Sequence, residues 1–278
     1  MKNRQLNYLF YATLLDSFQD YLSSDKIYSE YWGFSENPPM TEEEFHEKKR
    51  LELIDKINRV PFDSEKADRG TAFNEIVDCL ILGKNSEKMQ IKSIKTPYTN
   101  HSYTAETEWR VTAIKANYNN REFVFPVDVC REFSGYYKGA IPQVYCEAIL
   151  PTRYGDVKLY GYLDELMPAS IHDIKTTGKY SAGKFKNHWQ HIVYPYCLQS
   201  DGSDISDFEY NILLINERVS GNTYETFTEH YAFVSGRDVP KLTEHVESLI
   251  EFIEMHRDVI TDLKIFNKHV DSGSPNKN

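Results

Sequence analysis

The sequence predicts one α/β domain in which a central mixed sheet is flanked by helices. Apolar residues recur at helical spacing before residue 82, and short alternating stretches between about residues 140 and 235 have the pattern of strands. A last apolar stripe over residues 239–268 indicates a closing helix. Since no internal repeat or long linker interrupts the 278 residues, we expect residues 1–278 to form a single domain.

The N-terminal part, residues 1–82, is predicted to be helical. An apolar stripe over residues 5–23 favours a first helix. Thr41 is followed by three glutamates, which are favourable in a first helical turn, so a second helix should start there and run towards Arg59. A third helix is expected around Gly70, and the patternless polar residues 84–105 should form a loop.

The remaining elements follow from alternation and turn residues. Residues 107–126 predict a hairpin that turns at residues 117–120, and residues 127–137 predict a short helix. The later predictions are strands near 143–150, 156–166 and 170–176, a helix over 181–199 capped by Ser181, strands over 208–216 and 226–234, and disordered residues 271–278.

Two aspartates and a lysine lie on the predicted strand pair joined at residues 167–170. Asp164 is near the end of the first strand, and Asp173 and Lys175 are two apart on the second, so their side chains should share a face. Carboxylate oxygens suit hard divalent cations, and magnesium sites usually use one or two carboxylates. The pattern predicts a Mg²⁺ or Mn²⁺ site for phosphodiester hydrolysis, with the Ile174 backbone carbonyl as a further ligand and Lys175 stabilising the nucleophile and transition state.

These residues resemble the signature of the PD-(D/E)XK nuclease superfamily, an Asp followed on the next strand by Asp or Glu, any residue and Lys. Gly161, three residues before Asp164, resembles the Gly-x-x-Asp of RecB-type members. Gln190 and Tyr194 share one helix face and resemble the Gln-x-x-x-Tyr of RecB-like and phage exonuclease-like members. The resemblance implies a restriction-endonuclease-like core, in which Gln190 and Tyr194 orient Lys175 and contact DNA.

The ligand that completes the metal site is left open. The resemblance expects a histidine or an acid where Asn74 stands, so Asn74, Glu75 and Asp78 are all candidates. Glu147, on the strand before Asp164, is a further candidate ligand, and a surface ion pair with a lysine is its alternative.

The charge distribution indicates where DNA would lie. The formal net charge of −10 argues against a general DNA-coating protein, but residues 174–200 contain no Asp or Glu. Lys179, Lys184 and Lys186 in this stretch are predicted to contact DNA phosphates, and a basic surface helix is the alternative.

Several other classes of site are not expected. The four cysteines lack Cys-x-x-Cys spacing, which argues against a zinc knuckle. Some members of the superfamily hold an iron–sulfur cluster near the C-terminus, but no cysteine follows Cys197, so we expect no iron–sulfur cluster. No phosphate-loop motif is present around Thr177-Gly178-Lys179, so ATP-driven unwinding would need a partner. No secretory signal or membrane span is recognisable, so a cytoplasmic location without membrane contact is expected.

The resemblance implies a Mg²⁺-dependent deoxyribonuclease, an exonuclease that acts on double-stranded DNA ends in recombination or repair beside a single-strand annealing protein. An oligomer is compatible with it, since some relatives form rings. Asn74 and Pro195, which should kink or loosen its helix, motivate an alternative, a catalytically weak DNA-binding or assembly subunit with a nuclease fold. A CRISPR-associated nuclease without an iron–sulfur cluster is a second alternative.

Overall fold

The computed structural model of the protein describes residues 6–99, 107–219 and 221–267. The first half contains β1 (Leu6–Tyr11), α1 (Ala12–Leu22), α2 (Ser24–Trp32), α3 (Glu42–Ile57), α4 (Glu65–Leu82), β2 (Gln90–Thr99), β3 (Thr107–Tyr118), β4 (Arg121–Pro126) and α5 (Val127–Tyr136). The second half contains β5 (Ile141–Thr152), β6 (Gly155–Leu166), β7 (Ser170–Thr177), α6 (Gln190–Ser200), β8 (Asp207–Asn216), β9 (Thr223–Ala232), α7 (Ser235–Met255) and a short 3-10 helix (Leu263–Phe266).

Strand β6 organises the central mixed sheet, which has six strands within the described residues. β5 pairs antiparallel along one edge of β6, whereas β1 and β7 share the opposite edge. β1 runs parallel to β6 as far as Tyr160, and β7 pairs with it only at Glu165 and Leu166. Among the described strands, none pairs with residues 161–164 on that edge, so the sheet is open there and Asp164 lies in the opening.

Helices cover both faces of this sheet, as the sequence predicts. One apolar cluster joins the sheet to α1, α3, α6 and α7 and includes Ile171 and Ile212. The other includes Ile174 and Leu213 and lies against α4, α5 and the small antiparallel sheet of β2, β3 and β4. Ile174 packs against α4. Since side chains alternate along β7, its neighbours Asp173 and Lys175 point to the opposite face, towards α6.

Several local predictions are confirmed. Thr41 caps α3: its hydroxyl accepts a hydrogen bond from the Glu44 backbone N–H at 3.2 Å, and the Glu44 carboxylate accepts one from the Thr41 N–H at 2.8 Å. The turn between β3 and β4 contains Asn119 and Asn120 with φ of 48° and 60°, a left-handed conformation that asparagine tolerates. α5 and the strands of the core also lie where the sequence predicts them.

The prediction of one helix over residues 5–23 is wrong at its start, because residues 6–11 form β1. The apolar residues there fit both periods, and parallel pairing with β6 selects the strand that buries Tyr8 and Phe10. α2 was missed, and the predicted loop over residues 84–105 contains β2, which gains its stability from pairing with β3.

Two helix boundaries also differ from the prediction. The helix expected over residues 181–199 begins only at Gln190, after a run of turns in which Gly183 has φ of 80°, so Ser181 is not its cap. α6 then continues through Pro195 to Ser200. The helix expected over residues 239–268 begins earlier and ends at Met255.

The predicted disordered tail, residues 271–278, lies outside the described residues. No helix in the described ranges combines the length and apolar character needed to cross a membrane.

Candidate active site

Asp164, Asp173 and Lys175 converge at the opening in the sheet. The Asp164 carboxylate accepts a hydrogen bond from the Ile174 backbone N–H at 2.9 Å, which connects β6 to β7 where the strand pairing stops. Nζ of Lys175 lies 2.7 Å from Oδ2 of Asp173, as expected for side chains two apart on one strand. The three charged groups therefore share one small volume.

Gln190 ties two of these charged groups together from the first position of α6. Its side-chain oxygen accepts a hydrogen bond from Lys175 Nζ at 2.6 Å, and its side-chain nitrogen donates to Asp173 Oδ1 at 2.5 Å. The same nitrogen donates to the Tyr194 hydroxyl at 3.3 Å. Gln190 is buried, so its two donors and one acceptor are used by protein groups rather than by solvent.

Gly161 makes room for Tyr194 beside β6. A Cβ atom at Gly161 would lie 2.6 Å from Cε1 of Tyr194 and 3.1 Å from its hydroxyl. Those separations are shorter than ordinary van der Waals contact, so a larger residue would displace the tyrosine ring. This steric relationship explains why a glycine stands three residues before Asp164.

Asn74 approaches the site from α4. Its side-chain nitrogen donates a hydrogen bond to Asp164 Oδ2 at 3.1 Å. Its side-chain oxygen is buried without a hydrogen-bond partner among the described residues. Leaving such an acceptor unsatisfied costs about 1–3 kcal/mol, which a bound cation would recover.

Burial and mutual repulsion control the charges of the site. Burial raises the pKa of the Asp164 carboxyl well above its usual range and Asp173 adds to the effect, whereas Lys175 and the Ile174 N–H oppose it. Burial alone would lower the pKa of Lys175, but the Asp173 and Asp164 carboxylates outweigh it and raise the pKa. Two carboxylates thus face one ammonium, and an added cation would stabilise the pair.

The donor set fits a hard divalent cation. No cluster of three or more His, Cys, Asp or Glu side chains suited to a metal occurs in the described part of the chain. Magnesium, however, commonly uses one or two carboxylates and fills the other positions with neutral oxygens. Asp164, Asp173 and the unpaired oxygen of Asn74 meet that requirement, and the carbonyl of Ile174 stays a prediction.

Glu75 and Asp78, the other candidates on α4, do not line the cleft that contains Asp164 and Asp173. Glu75 accepts a hydrogen bond from Ser86 at 2.7 Å and pairs with Lys88 at 2.8 Å. It points away from Asp164 because consecutive helix residues are turned by about 100°. Asp78, one turn further along α4, lies beside Glu165, and burial raises the pKa of both carboxyls.

Glu147 lies on the exposed side of the β5–β6 pair. Its carboxylate is 3.0 Å from Lys158 Nζ and accepts a hydrogen bond from the Tyr145 hydroxyl at 2.5 Å. The alternative reading of Glu147, a surface ion pair, is therefore the one found, and the metal-ligand prediction is wrong for this residue.

The site opens into a cleft of about 730 Å³, whose lining also includes residues that no sequence pattern indicated. Lys56 and Arg59 line its wall. The Arg59 guanidinium pairs with Asp262 at 2.7 Å and donates a hydrogen bond to the Tyr160 hydroxyl at 2.9 Å. Phe62 lines the same cleft although its side chain is 84% exposed. No motif marks these residues, because they lie at the end of α3 and in the segment before α4 and reach the cleft only through the folding of the chain.

Asp16 is a further residue near the site that no sequence pattern indicated. It lies on α1 and accepts a hydrogen bond from the Trp189 backbone N–H at 2.5 Å, just before Gln190. Burial raises its pKa to about 7, and Lys175 contributes in the opposite direction. The carboxyl therefore anchors the start of α6, and its position among buried apolar residues of α1 was the available signal.

The predicted DNA-contacting lysines divide into two groups. Lys179 and Lys184 line a second cavity, of about 680 Å³, at the C-terminal end of β7. Lys186 is exposed and is not part of that lining.

The fold and cleft define an α/β protein with two carboxylates and one lysine at an opening in its central sheet. No family model and no curated protein matches the chain. A solved structure titled "Crystal structure of SSO0001" is similar over 44% of this chain and 55% of that one, with 10% identity and a TM-score of 0.30. The aligned part is thus about half of that protein, and a similarity at this level carries no information on activity.

Proposed function

We propose that the protein is a metal-dependent deoxyribonuclease, an exonuclease that hydrolyses phosphodiester bonds at DNA ends in recombination or repair. The observation that supports this most is the convergence of Asp164, Asp173 and Lys175 at the opening in the sheet. An accidental group of surface charges would not be bridged by a buried amide, as Lys175 and Asp173 are by Gln190.

Each residue has a distinct part in this proposal. Asp164 and Asp173 hold Mg²⁺ or Mn²⁺, and Asn74 offers a neutral oxygen beside them. When bound, the metal ion supplies stabilisation of negative charge on the attacked phosphate and activation of a water nucleophile. The ammonium of Lys175, held by Asp173 and Gln190, offsets the charge that develops in the transition state.

The cleft supports a nucleic-acid substrate. Lys56 provides a cation for a backbone phosphate, whereas Arg59 is already paired with Asp262 at 2.7 Å. The exposed ring of Phe62 is available for stacking on a base. The assignment to DNA ends, and to recombination or repair, comes from the resemblance of the motifs.

One observation favours a second candidate, a DNA-binding or assembly subunit with weak catalysis. The Asn74 amide donates its N–H to Oδ2 of Asp164, so this carboxylate oxygen, which a metal ion would need as a ligand, already accepts a hydrogen bond. A negatively charged residue at position 74 would instead attract the metal cation.

A nuclease assay separates the two candidates. Linear duplex DNA and closed circular DNA are incubated with Mg²⁺ or Mn²⁺, with and without chelator, and the wild type is compared with Asp173→Asn and Asp173→Ala. Asp207→Ala, which removes an exposed acid on β8, is the matched control. Metal-dependent loss of nucleotides from the linear substrate, retained in the control and absent in both Asp173 variants, is expected. Binding without digestion favours the second candidate, and digestion that survives in both variants contradicts the first.

A further inference from the structure

The second cavity concentrates positive charge in a chain of net charge −10. This basic cavity lies at the C-terminal end of β7. Its charged lining residues are Lys66, Arg69, Lys179, Lys184, Arg218 and Glu217. The single carboxylate pairs with one of the five cations, Arg69, which Glu65 also contacts. Among the described residues, no carboxylate lies within ion-pair distance of the other four cations.

Neutral groups hold two of these cations in place. Nζ of Lys184 donates hydrogen bonds to the Thr177 hydroxyl at 2.7 Å and to the Lys179 carbonyl at 2.6 Å. Nζ of Lys179 lies 5.3 Å from the ring centroid of Tyr31, a cation–π contact. These contacts orient the ammonium groups without neutralising them.

The electrostatics of Lys184 indicate a group that lacks a counterion. Its side chain as a whole is exposed, but its pKa is lowered. Partial desolvation of the ammonium is the largest cause, and repulsion from Lys179 and Lys66 adds to it. Glu229 opposes this shift without cancelling it. A bound anion would relieve the repulsion.

The basic cavity and the cleft share two structural elements. β7 carries Lys175 in the cleft and Thr176 in the cavity, and α4 carries Asn74 in the cleft and Arg69 in the cavity. The two elements are close between these sites, since a Cβ atom at Gly70 would lie 3.1 Å from the Thr176 hydroxyl.

The residue spacing along β7 gives an estimate of the distance between the cleft and the basic cavity. With a rise of about 3.3 Å per residue, Gly178 lies about 10 Å beyond Lys175. Because successive nucleotides rise by only about 3.4 Å along the axis of a duplex, a strand bound in the cleft has further phosphates within reach of the cavity.

We propose that the basic cavity binds one backbone phosphate of the DNA strand that is cut in the cleft, within a few nucleotides of the scissile bond. The inference rests on the proposed nuclease function, because it places the cavity relative to a scissile phosphate. Free phosphate and nucleotides carry the same chemical group. The strand is the source we favour because neighbouring residues of β7 and α4 line the cleft and the cavity.

The test compares two double variants that lose the same charge. Lys179→Ala/Lys184→Ala alters the basic cavity, and Lys92→Ala/Lys138→Ala removes two exposed lysines that line neither the cavity nor the cleft. Binding of a fluorescent duplex is measured by anisotropy in EDTA at several salt concentrations. Hydrolysis of bis(4-nitrophenyl) phosphate with Mn²⁺ reports the cleft alone, because this small diester cannot reach the cavity.

The cavity variant should bind duplex about tenfold more weakly than the control, and its slope of log affinity against log salt should be shallower by about 0.9, the value for one lost phosphate contact. Its hydrolysis of the small diester should equal that of the control. Equal duplex binding by the two variants, with digestion intact in the wild type, overturns the inference and leaves the proposed function standing.

Two other results also overturn it. If the wild type hydrolyses neither DNA nor the small diester, the proposed function is wrong, and the position of the cavity relative to a scissile phosphate loses its meaning. If calorimetry shows micromolar binding of inorganic phosphate that duplex DNA does not displace, the cavity is a site for free phosphate.

Discussion

The side-chain oxygen of Gln190 lies 2.6 Å from Nζ of Lys175, while the nitrogen of the same amide donates to Asp173. One buried group therefore holds a cation and an anion that lie two residues apart on β7. In the proposed function Gln190 is a positioning residue, because it holds the charged groups that would meet the metal and the phosphate.

Gln190→Ala should lower kcat for DNA digestion by about 10- to 100-fold and leave KM nearly unchanged, because small displacements of catalytic groups have costs of this size. The measurement is steady-state digestion of linear duplex with Mn²⁺. Gln199→Ala, which removes a contact to the Ile205 carbonyl from the other end of α6, is the control. An unchanged kcat, or a rise in KM alone, would show that Gln190 has no positioning role.

Gly161→Ala should destabilise the fold by about 1–3 kcal/mol, the usual cost of overpacking. The cause is the 2.6 Å approach of the new Cβ to Tyr194, so the cost should shrink in a Tyr194→Ala background. Urea unfolding of the four proteins measures both effects. Gly135→Ala, where a Cβ atom meets open space within α5, is the control and should stabilise the fold by up to about 1 kcal/mol. Equal costs of Gly161→Ala in both backgrounds would contradict the steric explanation.

Asn74→Asp should increase the affinity for Mn²⁺ by about tenfold, because it turns a neutral ligand into a charged one. Titration calorimetry of the protein without DNA gives this affinity directly. Asn117→Asp adds the same charge on β3 and should leave it unchanged. Weaker or equal binding by Asn74→Asp would place the metal, if one binds, away from position 74.

His245 should make stability depend on pH. Burial lowers its pKa from 6.5 to about 4, although the hydrogen bond to the Leu15 carbonyl acts in the opposite direction. Because the unfolded chain takes up the proton first, the stability is fully present above pH 6.5 and falls as the pH drops towards 4.

The comparison with His245→Gln isolates this histidine, because buried carboxyls with raised pKa, such as Asp16, act in the opposite direction in both proteins. Between pH 6.5 and 4, the wild type should lose about 1.4 kcal/mol per pH unit relative to the variant. Urea unfolding at pH 7.5, 6 and 5 tests this. A constant difference across that range would mean that the folded protein accepts the proton on His245 as readily as the unfolded chain.

Local patterns predicted a large part of the fold and of the site. The cap at Thr41, the turn at Asn119 and Asn120, and the strand pair that carries Asp164 and Lys175 all depend on residues close together in the chain. The four-residue spacing of Gln190 and Tyr194 was enough to place both on α6, although the helix starts nine residues later than expected from position 181.

Other features could not be read from local patterns. Glu75 and Asn74 are neighbours, and only the packing of α4 on β7 decides that Asn74 faces Asp164 whereas Glu75 faces Lys88. Residues 6–11 have apolar residues that suit a helix or a strand, and the free edge of β6 decides between them.

The sequence by itself determined which chemical groups the site contains and the strands and helix that carry them, because these depend on spacing over a few residues. Only the tertiary structure decided which distant groups lie beside them. Asp16 accepts a hydrogen bond from Trp189, and Lys66 and Lys184 line one cavity. The physical reason is that burial and charge pairing depend on distance in space, and separation along the chain says little about that distance once a sheet and two layers of helices have packed.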